Sequence, residues 1–176
     1  MRDRTARGGS SKILLRVEAA GVNPADGQWR AGMFAAIQPN GWPMIPGYDV
    51  AGTVEQSPDG NLAVGARVAA MLDPVSKGGY AQFALVDVSA VEIIPPGMNY
   101  DQAAEAPTVG LTGHRMVERA ELVRPGDTVL FTGALGMVGG VAMHCALTAG
   151  ARVIAAVRAE AVGKARKNGA HDAIAL

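Results

Sequence analysis

Short runs of alternating apolar and polar residues dominate the first part of the chain, as far as Pro95. Glycine, proline, asparagine and aspartate separate these runs, and many short strands of this kind are typical of a small, irregular β-barrel. A turn is predicted at 21–26, where Pro24 forces Asn23 out of the helical region, and a short helix or loop at 28–34. The runs themselves predict four strands and a closing segment, at 12–20, 48–55, 64–71, 79–86 and 91–95.

The pattern changes to helical spacing after Pro96-Gly97. Two helical stretches are followed by a β-branched apolar strand, a glycine-rich turn, an apolar helix and a second buried strand. Strands separated by helices indicate a parallel sheet, so we predict a parallel-sheet domain over residues 98–176. The part before it, residues 1–97, is predicted to form the barrel-like domain. Predicted helices lie at 100–106, at 111–120, from the glycine turn at 133–139 onward to 149, and at 160–168. The predicted strands lie at 128–132, 152–157 and 171–176.

The turn after the strand at 128–132 has the chemistry of a phosphate-binding loop. Its glycines, Gly133, Gly136 and Gly139, stand between a strand and a helix. A residue without Cβ lets backbone N–H groups approach a pyrophosphate, and the positive end of the helix adds to the attraction. The spacing is G-x-x-G-x-x-G instead of G-x-G-x-x-G, so the flanking strand and helix carry more of the evidence than the spacing does. A glycine-rich turn in an ordinary α/β protein is the alternative.

The composition excludes some classes of function but does not identify a single one. The chain has 176 residues with 16 basic and 16 acidic side chains, and zero net charge gives no reason to expect a nucleic-acid partner. Its one cysteine, Cys145, excludes an internal disulfide and is expected to be a small buried thiol. No apolar run reaches membrane-spanning length and no signal-peptide core is present. We therefore predict a soluble, cytoplasmic protein without a membrane partner.

Six short motifs occur in an order that resembles the medium-chain dehydrogenases/reductases. The resemblance is to the zinc-free side of that superfamily, which contains the quinone oxidoreductases and enoyl reductases, and it covers the chain from about Lys12 to its end. The motifs are Gly21-Val22-Asn23-Pro24-Ala25-Asp26, Pro46-Gly47-Tyr48-Asp49-Val50-Ala51-Gly52, Val64-Gly65-Ala66-Arg67-Val68, Gly78-Gly79-Tyr80-Ala81, Ala103-Ala104 with Gly110-Leu111-Thr112, and Gly133-Ala134-Leu135-Gly136-Met137-Val138-Gly139.

This resemblance implies an α/β fold, in which a partial, small GroES-like β-barrel catalytic domain precedes a partial Rossmann-type parallel sheet. It also implies hydride transfer from a nicotinamide to a small-molecule conjugated carbonyl, either a quinone or an enone or enoyl thioester. The catalytic candidates that follow from it are Asn23, Tyr48 and Asp49. The cofactor-binding candidates are Thr112, Gly133, Ala134, Leu135, Gly136, Met137, Val138, Gly139, Arg158 and Lys164.

The end of the second strand of the glycine-turn unit predicts which nicotinamide is used. NAD-specific sites place an acid there, which binds both ribose hydroxyls and repels a 2′-phosphate. Here Val157 holds that position and Arg158 follows, with a guanidinium that offers two parallel donors to a phosphate. Glu160 lies close by in sequence and offsets part of this charge, and a loop arginine is often only solvated. We predict NADPH, with Arg158 as the discriminating residue and Lys164 as a weaker contributor.

The chain departs from the zinc alcohol dehydrogenases at their metal-binding positions. Those enzymes have a cysteine after the first Gly-Val and a His-Glu pair after the second Pro-Gly, whereas this chain has Asn23 and Tyr48-Asp49. Neutral amide and phenol groups are poor zinc ligands, so no metal site is predicted. A zinc-type alcohol dehydrogenase is accordingly a distant third function. The three histidines, which show no ligand spacing, are His114, His144 and His171.

The length of the chain suggests a second function class. Relative to the family, the chain lacks the first strands of the catalytic domain and the later half of the nucleotide sheet, so we expect a member shortened at both ends. A non-catalytic nucleotide-binding fragment is therefore the rival to an active enzyme. An open sheet edge tends to associate, so we also expect self-association. The side chains expected to lose their cover are Val129, Leu130, Val153, Ile154 and Ile174.

The single residues also have purely structural interpretations. Asn23 before a proline is a turn former, since Asn tolerates unusual backbone angles. In the structural alternative, Tyr48 and Asp49 only begin a strand, and Thr112 only caps the start of a helix. Trp29 and Trp42 are packing residues or a wall for a planar substrate.

Overall fold

The computed structural model describes residues 12–37, 43–73, 75, 78–118 and 123–176. The chain forms two compact units that divide between Pro107 and Thr108. Trp42 and the amino-terminal residues 1–11 lie outside the described residues.

The first unit is built on a five-stranded sheet in which every neighbouring pair is antiparallel. The strands are β1 (Lys12–Gly21), β2 (Asp49–Gln56), β3 (Arg67–Met71), β4 (Phe83–Asp87) and β5 (Val91–Ile93). Their order in the sheet is β4-β1-β2-β3-β5, so β2 lies in the middle. A helix, α1 (Pro24–Arg30), follows β1, and 3₁₀ turns occupy Ala35–Ile37 and Val88–Ala90.

Alternation of apolar residues explains the core of this sheet. In β1 the side chains of Ile13 and Leu15 are buried, as the alternating sequence requires of a strand with one covered face. The first four residues of β2, from Asp49 to Gly52, are all buried. The middle strand therefore places one charged residue, Asp49, inside the unit.

Helix α1 begins earlier than the sequence interpretation placed it. The turn predicted at 21–26 is correct only as far as Asn23, because Pro24 is the first helical residue and Asn23 is the residue before the helix. Proline is favoured at that first position, since its missing N–H would have no partner there. The Asp26 carboxylate accepts a hydrogen bond from the backbone N–H of Asn23 at 2.8 Å, which is one half of a capping box.

A single long helix, α2 (Tyr100–Glu118), replaces the two helical stretches predicted at 100–106 and 111–120. Its first part packs on the end of β1, where a Cβ on Gly21 would lie 2.5 Å from the carbonyl oxygen of Ala104. Ala103 and Ala104 are both buried at this contact. Small residues on both elements allow the close approach that fixes the chain just before Asn23.

The second unit contains a three-stranded parallel sheet in the order β6-β7-β8. β6 (Thr128–Thr132) leads into α3 (Met137–Thr148), and β7 (Arg152–Val157) follows it. A 3₁₀ turn (Ala159–Ala161), α4 (Val162–Lys167) and β8 (Asp172–Ala175) complete the unit. Its core packs α3 against β7 through Ala142, Met143, Ala146, Val153 and Ala155. The predicted mixed α/β architecture, with an antiparallel first part and a parallel second part, is confirmed.

Candidate functional site

The carboxyl end of β1 and the start of β2 bring two of the predicted catalytic residues into contact. The register pairs Gly21 with Asp49, so the residues that follow β1 lie beside the first residue of β2. The side-chain amide nitrogen Nδ2 of Asn23 donates to Oδ2 of Asp49 at 2.9 Å. Because a carboxylate only accepts, this partner fixes which way the amide of Asn23 is turned. The amide nitrogen carries a second N–H, which remains available for another acceptor.

Asp49 is 1% exposed, whereas Asn23 is only partly buried. A carboxylate this deep in the unit acts on a ligand through the residue that it binds, not by direct contact. Of the two bonded groups, the Asn23 amide is therefore the more accessible and the Asp49 carboxylate is its buried partner.

Tyr48, the third predicted catalytic residue, precedes β2 and is 7% exposed. Burial raises the pKa of the Tyr48 phenol, and the negative charges of Asp26 and Asp49 raise it further. The hydroxyl therefore keeps its proton at neutral pH, and a protonated phenol is able to donate a hydrogen bond. The structure thus brings Asn23, Tyr48 and Asp49 into one corner of the first unit.

Two residues of this corner, Asp26 and Tyr80, were not among the predicted site residues. The phenol of Tyr80 donates to Oδ2 of Asp26 at 2.9 Å. Burial of the hydroxyl raises the pKa of Tyr80 above its usual range, and the hydrogen bond to Asp26 adds to the shift. The sequence carried a signal for Asp26, because an acid three residues after Asn23 and two after Pro24 marks the first turn of a helix. No local signal linked Tyr80 to it, since 54 residues separate the two.

In the second unit, the predicted glycine turn connects β6 to α3. Gly133 has a φ of +65°, which only a residue without Cβ adopts easily, and its carbonyl accepts from the N–H of Gly136 at 2.9 Å. Gly136 is the residue before α3 and offers no side-chain cap. Within the described residues no acceptor is found for the backbone N–H groups of Met137, Val138 and Gly139. Free N–H groups at a helix N-terminus attract negatively charged groups.

The three glycines of the turn serve different purposes. A Cβ on Gly139 would collide with the carbonyl group of Gly133, so Gly139 lets the first turn of α3 lie directly on the glycine turn. A Cβ on Gly136 would lie 3.2 Å from the same carbonyl oxygen, which is a tight contact but not a collision. Ala134 is fully buried and Leu135 packs against the core of the unit. The turn is therefore closely packed on its inner side while its N–H groups remain available.

Thr112 lies in the interior of α2, so a capping role at a helix start is wrong. The next residue, Gly113, contacts the first turns of α3, where a Cβ would lie 2.8 Å from the carbonyl oxygen of Val138 and 2.7 Å from Cβ of Val141. Because Gly113 permits this close approach of two helices, the exposed Thr112 is held near the amino-terminal end of α3.

Arg158 follows β7 directly and is exposed, as is Lys164 on α4. Among the described residues neither side chain makes an ion pair, whereas their neighbour Arg166 pairs with Asp172 at 2.9 Å. Arg158 and Lys164 thus remain available to an anionic ligand at the carboxyl end of the sheet.

The described part of the chain contains no group of three or more histidine, cysteine, aspartate and glutamate side chains placed to hold a metal ion. Nor does any described helix have the length and apolar character needed to cross a membrane.

Comparison with known families and proteins agrees with this architecture. The family model of the alcohol dehydrogenase GroES-like domain matches residues 9–96. The quinone-oxidoreductase homolog of spinach (Spinacia oleracea) is 32% identical over 158 residues, which is 81% of this chain and 48% of that protein. The 2-haloacrylate reductase of a Burkholderia species is 32% identical over 171 residues, covering 94% of this chain and 51% of the relative.

Two solved structures show the same fold. An alcohol dehydrogenase superfamily protein from Novosphingobium aromaticivorans superposes with a TM-score of 0.85 at 35% identity, covering 99% of this chain and 54% of that one. The quinone oxidoreductase of Thermus thermophilus, solved also in complex with NADPH, gives a TM-score of 0.75 at 33% identity over 98% of this chain and 54% of its own. The chain thus spans about half the length of the relatives that it matches.

Proposed function

Because the chain belongs to the medium-chain dehydrogenase/reductase superfamily, in its quinone oxidoreductase-like branch, we propose that it transfers hydride from NADPH to a quinone or a conjugated enone or enoyl acceptor. The observation that carries the proposal is the glycine turn, a closely packed loop that leaves the first N–H groups of α3 without acceptors among the described residues. A relative that reduces a haloacrylate and one that binds NADPH support the acceptor class and the cofactor.

The residues of the second unit fit a nicotinamide dinucleotide. The N–H groups of Met137, Val138 and Gly139 would hold the pyrophosphate, and Gly136 lets it come close to the backbone. Thr112, held near this helix end by Gly113, would add a hydroxyl contact. When bound, NADPH supplies the hydride, and the protein contributes binding, orientation and electrostatics.

Arg158 supports the choice of NADPH over NADH. It directly follows Val157, which holds the position at the end of β7 where NAD-specific proteins carry an acid, and it has no ion-pair partner in the described part of the chain. A guanidinium stays charged and binds a phosphate through two parallel N–H groups. Lys164 would add a second positive charge from α4.

Asn23 would stabilise the acceptor during the reaction. Hydride addition to a conjugated carbonyl places negative charge on the carbonyl oxygen, and a pre-oriented donor lowers the energy of that state. The second N–H of the Asn23 amide is such a donor, since the bond to Asp49 fixes its orientation. Tyr48, whose raised pKa keeps it protonated, would support the same oxygen or the protonation that follows. With an amide and a phenol at these positions, the proposed reaction is zinc-independent.

The test is the steady-state oxidation of NADPH by the purified chain, with a naphthoquinone and a simple conjugated enone as acceptors. We expect turnover with NADPH, retention of that turnover after treatment with a chelator, and a fall in kcat of about 100-fold for Asn23→Ala, as for loss of one oxyanion donor. Asn61→Ala, in an exposed turn of the first unit, is the matched control and should leave the rate unchanged. Tight NADPH binding with no turnover for any acceptor would favour the rival, a nucleotide-binding module without catalysis.

A further inference from the structure

A buried carboxylate joins three separate segments around Asn23. Asp26 is 5% exposed, yet its two oxygens accept three hydrogen bonds. The donors are the backbone N–H of Asn23 at 2.8 Å, the backbone N–H of Gly47 at 3.1 Å and the phenol of Tyr80 at 2.9 Å. The three donors come from the loop after β1, the loop before β2 and the loop before β4. One carboxylate therefore sets the relative positions of three loops.

Two of these loops are also joined by their backbones. The N–H of Gly79 donates to the carbonyl of Gly47 at 2.8 Å, and that of Tyr80 donates to the carbonyl of Pro46 at 3.0 Å. Gly47 has a φ of +82°, and the ring of Tyr80 occupies the space that a Cβ on Gly47 would need. Tyr80 is thus held at a fixed position, from which its hydroxyl reaches Asp26.

Two carboxylates bind Asn23 directly. Packing holds the chain on either side of it, at Gly21 against Ala104 and at Ala25 against the core, but its neighbour Val22 is 82% exposed. Asp26 holds the backbone N–H of Asn23, and Asp49 holds its side-chain amide. Loss of the Asp26 carboxylate would leave a backbone N–H without its acceptor and would free the segment that carries the amide.

We propose that Asp26 is a positioning residue, which with Tyr80 fixes Asn23 so that its amide N–H meets the carbonyl oxygen of the acceptor. The inference rests on the proposed function in giving Asn23 that contact. Because a displacement of about 1 Å in a catalytic group costs on the order of 100-fold in rate, the effect of Asp26 falls mainly on kcat.

The kinetic test compares Asp26→Asn and Tyr80→Phe in two backgrounds, the parent chain and Asn23→Ala. In the parent, Asp26→Asn should lower kcat at least about tenfold with a much smaller change in KM, and Tyr80→Phe should lower it less. In the Asn23→Ala background each change should lower kcat by less than about twofold, because the residue through which it acts is gone. Asp59→Asn, an exposed turn aspartate, is the matched control and should not change either constant.

A readout without turnover separates this inference from the proposed function. The side-chain amide signal of Asn23 in a nitrogen–proton correlation spectrum should shift or broaden in Asp26→Asn and Tyr80→Phe, but not in Asp59→Asn. If the parent chain shows no turnover, the proposed function fails and this signal alone decides the positioning role. Equal losses of kcat in the parent and Asn23→Ala backgrounds would overturn the inference. An Asn23 amide signal that Tyr80→Phe does not shift or broaden would also overturn it, and this second test remains valid if Asp26→Asn does not fold.

Discussion

Two carboxylates and two phenols share one corner of the first unit, and their charges act on one another. Asp26 and Asp49 are both nearly inaccessible to water, and both raise the pKa of Tyr48 and of Tyr80 after the larger effect of burial. The protonated phenols in turn present O–H groups to a region of negative charge. The environment of this corner thus favours the neutral form of both phenols.

This charge arrangement predicts a loss of stability in alkali. Unfolded tyrosines lose their protons near pH 10.0, whereas Tyr80 keeps its proton to higher pH in the folded state. Above that pH the unfolded chain binds fewer protons than the folded chain, so the free energy of unfolding falls as the pH rises. Urea unfolding between about pH 8 and about pH 11 should show this slope, and Tyr80→Phe should flatten it. Tyr100→Phe, which removes a hydroxyl bonded to Thr53, is the control, and equal flattening by both variants would contradict the assignment.

The side chain of Arg158 should make the chain prefer NADPH to NADH. We expect the parent chain to bind NADPH more tightly than NADH, and Arg158→Ala to weaken NADPH binding by about tenfold or more while leaving NADH nearly unchanged, since only NADPH carries the 2′-phosphate. Dissociation constants from isothermal titration would measure both. Arg166→Ala removes a cation that is already paired with Asp172 and is the matched control. Equal affinities in the parent would show that Arg158 does not discriminate.

For single residues, a contact can be predicted from the sequence when a motif or the pairing of two strands brings the residues together, and not otherwise. Asn23 and Asp49 follow from two motifs whose strands pair, so their contact is a consequence of the register. The link between Asp26 and Tyr80 depends on the conformations of three loops. Backbone hydrogen bonds between residues distant in sequence join two of these loops, the one before β2 and the one before β4. Such loop contacts leave no periodic pattern, and therefore sequence reasoning missed them.

At the scale of elements, the glycine turn and α3 pack closely against each other. Gly139 makes room for the carbonyl of Gly133, and Gly113 makes room for the first turns of α3 on α2. Strands β6 and β7 were predicted with the bounds observed, because continuous apolar runs flanked by turns are a strong signal. The split predicted for α2 was wrong, because Pro107 and Gly110 lie inside a continuous helix that packing stabilises despite their low propensity.

Substitutions at two glycines of the turn should affect NADPH binding and the stability of the fold separately. Gly136→Val should weaken NADPH binding at least about tenfold with little change in the far-ultraviolet circular dichroism spectrum, because its side chain would occupy the approach of the pyrophosphate. Gly139→Ala should lower the free energy of unfolding by about 1–3 kcal/mol, since its Cβ collides with the backbone of the turn.

The matched control for both changes is Gly140→Ala. A Cβ there would lie at an ordinary 3.7 Å from the carbonyl oxygen of Ala134. It should leave both NADPH affinity and stability close to those of the parent. NADPH affinity unaffected by Gly136→Val would show that the turn is not the phosphate site.

For the molecule as a whole, one face of the parallel sheet is covered and the other exposes apolar side chains. Leu130 is 56% exposed and Ile174 44% exposed, and both lie on the face opposite the core that α3 forms with the sheet. The expectation that Val153 and Val129 would lose their cover was wrong, because Val153 is fully buried in that core and Val129 packs against it. Burial was predictable for each strand, but the side on which helices pack was not.

This exposed face predicts self-association at high protein concentration. Sedimentation velocity should show a concentration-dependent rise in mass for the parent chain, and the double variant Leu130→Thr/Ile174→Thr should reduce it. Leu85→Thr, which changes a leucine that is 62% exposed on β4 of the first unit, is the matched control. A parent chain that stays monomeric over the whole range would contradict the prediction.

The central place of β7 in its sheet has a consequence for hydrogen–deuterium exchange. β7 is bonded to a strand on each side and is the most completely buried of the three, so its amides open only when the unit itself opens. They should be the slowest to exchange in the second unit, with those of the four-residue β8 much faster. The proposed phosphate site and Arg158 lie at the carboxyl ends of β6 and β7, so NADPH should slow exchange at Met137–Gly139 and leave the rate in β7 nearly unchanged.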